Sequence, residues 1–242
     1  MAEVEIVRHD GWAELVLNRP EVRNAINGPL GVALAASLRE LDAADEVRVI
    51  LLRGAEGAFC SGLDLKSFNA DPAPEWLAGF AGIWRSAHTA LYEARKPIVA
   101  ALEKYAINGG AALALAADVL IVGESAFLQV GEVQQGMAAP YNVAWLRLRH
   151  SEAVTAQLTL VGRRFPGSEL KELGLAYQAV SDDLVLETAR SLAAQLAGYP
   201  EGSLSRIKAV LRRYNAQSAD DWFDRAAQVT PGSATQSPSA NP

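Results

Sequence analysis

The chain has 242 residues, of which 50% are hydrophobic and 21% charged, and its formal net charge is −6 with a pI of about 5.2. This composition is typical of a globular protein with one large domain or two small ones. No stretch gathers Lys and Arg into a basic block, which argues against nucleic acid and anionic membranes as partners. The N-terminus has no long apolar run and Cys60 is the one cysteine. We therefore expect a cytoplasmic protein without a signal peptide, a membrane span or a disulfide.

The first elements predicted are two strands, at residues 3–8 and 12–18, joined by a turn at Asp10-Gly11. Apolar residues at helical spacing predict a helix over residues 29–45. A nearly continuous apolar run at residues 47–54, closed by glycine, is typical of a strand buried on both faces of a sheet.

The middle of the chain continues this alternation. We predict a helix at 74–95, a buried strand at 98–102, a small-residue helix at 109–117 and a strand at 119–122. Such alternation predicts an α/β sheet with helices packed on it.

From residue 151 onwards the pattern is mainly helical. Helices are predicted at 151–162, 166–174, 183–198 and 203–214, with a continuation at 219–229 and a short strand at 178–180. Residues 231–242 are rich in Pro, Ser, Ala and Gly, and we expect them to be disordered. We therefore divide the chain into an α/β core at 1–150, a helical region at 151–230 and a tail at 231–242.

Three glycine-containing segments carry the candidate chemistry. They are residues 57–66, residues 105–113 and residues 129–140. The first follows a buried strand, where α/β sheets place ligands, and the second leads into a helix start, which attracts negative charge. The third places Glu132 among mainly uncharged residues. Taken singly, each segment is more simply interpreted as a turn, a packing device or a solvated loop.

Their order and spacing, together with Leu17-Asn18-Arg19-Pro20-Glu21-Val22-Arg23-Asn24-Ala25-Ile26, resemble the crotonase (enoyl-CoA hydratase/isomerase) superfamily over residues 3–215. The resemblance implies a spiral of βαβ units with a C-terminal helical trimerisation region, and thus a homotrimer or hexamer. It also implies an acyl-CoA thioester as the substrate, so that coenzyme A enters with the substrate and no cofactor is bound permanently. The backbone N–H groups of Leu63 and Gly109 become the oxyanion donors. The implied binding residues are Val22, Arg23, Ala25, Ser61, Gly62, Asp64, Leu65, Lys66 and Gly110.

The resemblance also bears on the reaction. Hydratases of this superfamily use two glutamates, and here Glu132 stands at one position while Ala112 stands at the other. One carboxylate suffices to move a proton from C2 to C4 of a 3-enoyl thioester, and residues 132–140 are similar to the single-glutamate Δ3,Δ2-enoyl-CoA isomerases. We therefore predict an isomerase with Glu132 as acid and base. A hydratase, a C–C bond lyase or synthase, and a non-catalytic acyl-CoA-binding protein remain the alternatives.

Other residue types give weaker predictions. His9, His88 and His150 have no metal-ligand spacing, so we expect no metal site. Cys60 is interpreted as a small buried residue. Asp64 is a further candidate for catalysis, although the family resemblance implies that it mainly shapes its loop. Two further sets are candidates only, for the acyl pocket and for coenzyme A phosphates respectively: Tyr105, Tyr141, Asn142 and Trp145, and Arg23, Lys66 and Lys208.

Overall fold

The computed structural model describes residues 2–214 and 217–227, and the predicted disordered tail lies outside them. The strands of these residues form a six-stranded sheet in the order β1-β2-β3-β4-β6-β9 and a three-stranded sheet in the order β5-β7-β8. The strands are β1 (Val4–His9), β2 (Trp12–Leu17), β3 (Val49–Gly54), β4 (Ile98–Leu102), β5 (Tyr105–Ile107), β6 (Val119–Gly123), β7 (Phe127–Gln129), β8 (Arg164–Pro166) and β9 (Gln178–Val180).

Helices connect the strands and then dominate the second half of the chain. They are α1 (Gly28–Ala43), α2 (Leu65–Phe68), α3 (Phe80–Glu93), α4 (Gly109–Ala116), α5 (Pro140–Arg149), α6 (Glu152–Val161), α7 (Gly167–Glu172), α8 (Val185–Ala197), α9 (Ser203–Arg213) and α10 (Ala219–Ala227). Short 3-10 turns lie at Pro20–Val22 and Glu132–Gln135. Of the described helices, none is both long and apolar enough to cross a bilayer.

The predicted hairpin is confirmed. Strands β1 and β2 pair antiparallel from Val4 opposite Leu17 to His9 opposite Trp12, and Gly11 in the turn has φ of 77°. A positive φ is readily adopted by glycine, which explains the turn at this point. The remaining neighbours in the six-stranded sheet pair parallel, as expected when helices cross over between strands.

The six-stranded sheet is buried on both faces. Because side chains alternate along a strand, Ile50 and Leu52 of β3 face one core and Val49 and Leu51 face the other. The first core is shared with the helices α1 and α3, and the second with α8. This arrangement explains why β3 and β4 read as continuous apolar runs.

Helix α5 and the three-stranded sheet were not predicted, and α3 begins later than predicted. Strands of three residues are too short to show a period of two, and β5, β7 and β8 were not predicted. The equally short strand β9 was predicted at 178–180 and is confirmed. The helix predicted at 74–95 begins only at Phe80. The helix predicted to continue at 219–229 is a separate element, α10. The small sheet matters for the site because β5 leads into Gly109 and β7 leads towards Glu132.

The C-terminal elements are tied to the sheet by an ionic cluster. Asp118 lies between α4 and β6, and its Oδ2 accepts a hydrogen bond from the backbone N–H of Ile98 at 2.9 Å. The same carboxylate lies 2.7 Å from Lys208 Nζ, 3.2 Å from Arg149 Nη2 and 3.5 Å from Arg212 Nη2. The cluster therefore connects α9 and the end of α5 to the central strands.

Candidate active site

The predicted catalytic residues line one cavity of about 470 Å³. Leu63, Gly109, Ala112 and Glu132 all contribute to its wall. The cavity lies where the loop after β3, the start of α4, the 3-10 turn at Glu132–Gln135 and the start of α5 come together. Large apolar side chains form much of the remaining lining: Leu65, Phe80, Trp84, Met137, Pro140 and Tyr141.

The first donor segment is held in place by its neighbours on both sides. Cys60 forms an isolated parallel bridge with Ala106, and Leu63 forms another with Ile26. The backbone N–H of Ile26 donates to Gly62 O at 2.7 Å, and Asp64 N–H donates to Ile26 O at 2.9 Å. Among the described residues, the N–H of Leu63 has no acceptor. This fixed, unpaired donor on the cavity wall can bind a substrate oxygen.

The second donor begins helix α4. Gly109 is the first helical residue, and its N–H likewise has no acceptor among the described residues. Asn108 before it has φ of 51°, an uncommon conformation for a residue other than glycine. This conformation is held by two bonds, because Asn108 N–H donates to Gln129 O and Asn108 Oδ1 accepts from Gly131 N–H, each at 2.8 Å. Orphan N–H groups at a helix start favour negative charge.

Gly110 brings the two segments together. A Cβ atom at Gly110 would lie 2.5 Å from Cys60 O and 2.7 Å from Cys60 Cβ. Only a glycine therefore lets α4 pack so closely against the loop that carries Leu63. Gly110 itself is outside the cavity lining, so its contribution is to packing. Burial raises the pKa of the Cys60 thiol to about 12, which agrees with its interpretation as an inert core residue.

Glu132 is a buried carboxyl group with a neutral partner. Its Oε1 accepts a hydrogen bond from Asn142 Nδ2 at 2.8 Å, and its Oε2 is buried without a partner in the part of the chain that the structure describes. Burial raises the pKa of Glu132 to about 7, although its own backbone N–H and the Asn142 amide offset part of the effect. Apart from the Tyr141 phenol, no other titratable side chain is among the described residues that line the cavity. At neutral pH such a group can both accept and return a proton.

The position of Ala112 agrees with a single-carboxylate site. Ala112 is fully buried in α4 and contributes a methyl group to the same cavity wall. It offers no proton and no hydrogen bond to a substrate or a water molecule. The cavity therefore combines two backbone donors with one carboxyl group.

The predicted coenzyme A segments surround the first donor. Ser61 lines the cavity, its N–H donates to Arg23 O at 3.1 Å, and its hydroxyl donates to Val22 O at 3.3 Å. Ala25, three residues after Val22, is buried, and its carbonyl accepts a hydrogen bond from Arg19 Nη1. The structure thus brings the turn at 22–25 next to Ser61 at the cavity wall.

The remaining predicted binding residues fall into different environments. Leu65 lines the cavity and is 63% exposed, Lys66 is exposed on α2, and Gly62 is buried with φ of 92°. Lys66 is therefore accessible to a phosphate group of coenzyme A. Gly62 acts through backbone geometry.

Asp64 has a structural position. Its Oδ1 accepts from Ser67 N–H at 3.1 Å, which caps α2, and its Oδ2 lies 2.9 Å from Arg19 Nη2. Burial alone would raise the pKa of Asp64, but the hydrogen bonds from Ser67 and Arg19 lower it below its usual value. Asp64 is outside the cavity lining, so the structure supports the interpretation that it shapes the loop.

Two candidate sets need correction. Lys208 as a phosphate ligand is wrong, because its ammonium group is buried against Asp118 and donates to Lys96 O at 2.8 Å. Of the acyl-pocket candidates, Tyr141 and Asn142 line the cavity, whereas Trp145 is a fully buried core residue and Tyr105 is not in the lining. Among the described residues, no group of three or more His, Cys, Asp or Glu side chains could hold a metal ion.

Sequence reasoning missed the polar contacts made by Asn142 and Asn108. The sequence offered no signal for the contacts of Asn142, because the helix that carries it, α5, was not predicted. The partners of Asn142 also lie 10 and 34 positions away in the chain and are set by tertiary packing.

Comparison with known proteins identifies the family. The sequence profile described as enoyl-CoA hydratase/isomerase matches residues 8–230. The 1,2-epoxyphenylacetyl-CoA isomerase of Escherichia coli (strain K12) is 31% identical over 218 residues, which are 88% of this chain and 83% of that protein. The carnitinyl-CoA dehydratase of Proteus mirabilis (strain HI4320) is 32% identical over 216 residues, or 87% of this chain and 80% of that protein.

Solved structures confirm the predicted fold class. The crystal structure of an enoyl-CoA hydratase/isomerase from Mycobacterium paratuberculosis matches with a TM-score of 0.84 at 26% identity, covering 94% of this chain and 92% of that one. The α/β architecture with C-terminal helices is therefore the crotonase fold. On its sequence profile, its relatives and its fold, this chain belongs to the enoyl-CoA hydratase/isomerase (crotonase) family.

Proposed function

We propose that this protein moves a carbon–carbon double bond in an enoyl-CoA, as a Δ3,Δ2-enoyl-CoA isomerase, with Glu132 as its single acid and base. One observation carries the proposal: Glu132 is the only carboxyl group among the described lining residues, its Oε2 has no partner there, and its pKa is raised to about 7. A carboxyl group in this state can remove a proton next to a thioester and then donate it elsewhere.

The reaction uses each part of the cavity. Glu132 Oε2 takes a proton from C2 of the 3-enoyl thioester, and the electron pair moves onto the thioester oxygen. The N–H groups of Leu63 and Gly109 stabilise this oxyanion, and each such donor typically contributes about 3 to 4 kcal/mol. Glu132 then returns the proton to C4, so that the double bond lies between C2 and C3. Atoms and charge balance without any co-reactant.

The absence of a second carboxyl group in the described cavity lining favours this reaction over hydration. Ala112 offers nothing that would orient a water molecule together with Glu132. The E. coli relative is named a 1,2-epoxyphenylacetyl-CoA isomerase, which supports isomerisation of an acyl-CoA without gain or loss of atoms. The Proteus relative is named a dehydratase, and water addition is therefore one of the outcomes to be tested.

The test is a panel of thioesters incubated in deuterium oxide and analysed by mass spectrometry. We expect the enzyme to convert 3-enoyl-CoA into 2-enoyl-CoA with incorporation of solvent deuterium, and Glu132→Gln to slow both by about 10²- to 10⁴-fold. Formation of 3-hydroxyacyl-CoA from 2-enoyl-CoA would favour a hydratase, and cleavage or condensation of the acyl group a lyase or synthase. Binding of every thioester without conversion or exchange would overturn the proposal in favour of a non-catalytic acyl-CoA-binding protein.

We also propose that the chain assembles as a homotrimer or hexamer in the cytoplasm. Ile207, Val210, Leu211 and Tyr214 lie along one side of α9 and its end, and each is more than half exposed. Such an apolar stripe is typical of a surface that another protein covers. Light scattering at micromolar concentration should return three or six times the chain mass, whereas a monomer would contradict the assembly.

A further inference from the structure

Asn142 is a buried polar residue of the cavity wall, and the proposed reaction assigns it no role. It lies in the first turn of α5 and is only 2% exposed. Its Nδ2 donates to Glu132 Oε1 at 2.8 Å and to Asn108 O at 3.1 Å. One amide group therefore contacts both the carboxyl group and the backbone of the second donor segment.

The contact to Asn108 O reaches an oxyanion donor through a single peptide group. The carbonyl of Asn108 and the N–H of Gly109 belong to the same planar unit, so fixing the direction of one fixes the other. The same carbonyl also accepts from the N–H of Ala112 at 3.0 Å. Asn142 thus provides the side-chain bond that holds this peptide at the start of α4.

The Asn142 amide has one favourable orientation. Both protons of Nδ2 point at oxygen acceptors, whereas Oδ1 is buried with no partner within residues 2–214 and 217–227. Turning the amide over would place Oδ1 against two oxygens and would cost both hydrogen bonds. An unpartnered buried oxygen is normally avoided, so the two bonds from Nδ2 outweigh that cost.

We propose that Asn142 is a positioning residue that couples the base to the oxyanion site, holding the Glu132 carboxylate and the Gly109 N–H in register. This inference rests on the proposed function of Glu132. With Oε1 bound to Asn142, Oε2 is the oxygen left to face the substrate. The hydrogen bond also favours the ionised carboxylate and so keeps the pKa of Glu132 from rising further.

The pKa of Glu132 is set by its burial and by the hydrogen bond from Asn142, because the charged side chains on the neighbouring elements face elsewhere. Tyr141 is the other titratable residue of the described cavity lining, and burial raises its pKa, so it stays neutral at pH 7. Helix α6 packs against the turn that carries Glu132, and Glu152 at its start is 87% exposed. On α5, Arg147 lies 3.7 Å from Glu152, and Arg149 belongs to the Asp118 cluster.

The experiment compares the pH dependence of isomerisation in the wild type and in Asn142→Leu. We expect a wild-type rate that falls with acid below about pH 7, where Glu132 becomes protonated. A hydrogen bond to a charged group is typically equivalent to about one to two pH units. In Asn142→Leu the acid limb should move up by this amount, and on the alkaline plateau kcat should remain about tenfold lower because the Gly109 N–H is no longer held. KM should change little, because the thioester contacts remain.

Val143→Ala is the matched control, because Val143 lies in the same helical turn but lines a different cavity from Glu132. Its acid limb should coincide with that of the wild type. Asn142→Asp keeps the shape but replaces the donating group by an oxygen, and should move the limb further than Asn142→Leu. Because Asp is nearly isosteric with Asn, this variant also serves if the Leu variant fails to fold, with folding checked by circular dichroism.

The outcomes separate this inference from the proposed function. If the wild type shows an acid limb that is lost in Glu132→Gln, while neither Asn142 variant shifts it, Asn142 has no positioning role. If the limb shifts but the alkaline plateau is fully restored, the coupling to Gly109 is refuted. A wild type that does not isomerise any enoyl-CoA would instead contradict the proposed function itself.

Discussion

The two ends of α5 serve two carboxylates that share burial but differ in their partners. At its start, Asn142 binds Glu132, and burial raises the pKa of Glu132 to about 7. At its end, Arg149 lies 3.2 Å from Asp118, next to Lys208 and Arg212. Burial alone would raise the pKa of Asp118 as well, but Lys208 and Arg149 lower it below its ordinary value. The charge of the partner therefore decides whether the pKa of such a carboxyl group lies above or below its ordinary value, which suits Glu132 to the proposed proton transfer and Asp118 to an ion pair.

The largest expected effect comes from Glu132→Gln. This change keeps the size of the side chain and removes the base, so turnover should fall by about 10²- to 10⁴-fold, equivalent to about 3 to 5 kcal/mol of transition-state stabilisation. Acyl-CoA binding, measured by calorimetry, should stay within a few-fold of the wild type because the Leu63 and Gly109 donors are intact. Turnover near the wild-type value would remove Glu132 from the mechanism.

At the opposite end of α5, we expect the substitution Asp118→Asn to lower the stability of the fold. Asp118→Asn leaves Lys208 buried beside Arg149 and Arg212 without a counter-charge, and breaking a buried ion pair in this way typically costs about 3 to 5 kcal/mol. Urea unfolding should show this loss, while turnover per folded molecule stays unchanged. The double variant Asp118→Asn with Lys208→Met is the control and should recover part of the loss. An unaltered unfolding midpoint in the single variant would show that the cluster does not stabilise the fold.

The third effect is a gain of stability in Glu132→Gln. The pKa of Glu132 is about 7 in the folded protein against an ordinary 4.5, so between these pH values the folded state holds a proton that the unfolded state releases. The stability of the wild type due to this group is therefore complete below pH 4.5 and is lost as the pH rises through 7. At pH 8, Glu132→Gln should be more stable by up to about 3 kcal/mol, with little difference at pH 4.5. Equal stability of the two proteins at pH 8 would contradict the raised pKa.

The smallest effect should come from Asp64→Ala. The variant loses the cap of α2 and the ion pair with Arg19, which together should cost about 1 to 2 kcal/mol of stability. Because Asp64 is outside the cavity lining, the acid limb of the rate profile should stay where it is in the wild type. A displaced or missing limb would instead assign the proton transfer to Asp64.

Much of the fold was predictable because its signals are local. The apolar runs of β3 and β4 and the Asp10-Gly11 turn each lie within a few residues of sequence. Helix α5 was missed because it has only ten residues, and Asn142, Arg147 and Arg149 interrupt its apolar positions and weaken the helical period. The three-residue strands β5, β7 and β8 were missed because such a length carries no period, and of the strands this short only β9 was predicted.

The part of the site that is formed by backbone groups was predictable. The segments that carry Leu63 and Gly109 were recognisable by their glycines and their order, and the structure brings both to one cavity with Glu132. The contacts of Asn142 and the burial of Lys208 depend on residues distant in the chain. Lysine side chains are usually exposed, so the sequence provides no reason to expect Lys208 to be buried beside Asp118.

The burial of Cys60 provides a chemical reporter for the opening of the proposed oxyanion site. Cys60 is the only cysteine of the chain, is fully buried, and lies under Gly110 where the two donor segments meet. A thiol in this position reacts with an alkylating reagent only when the segments separate, so the labelling rate measures the free energy of local opening. A bound thioester that engages both donors should slow the labelling by the same factor by which it stabilises the closed state. The rigidity of the site can thus be measured without any catalytic turnover.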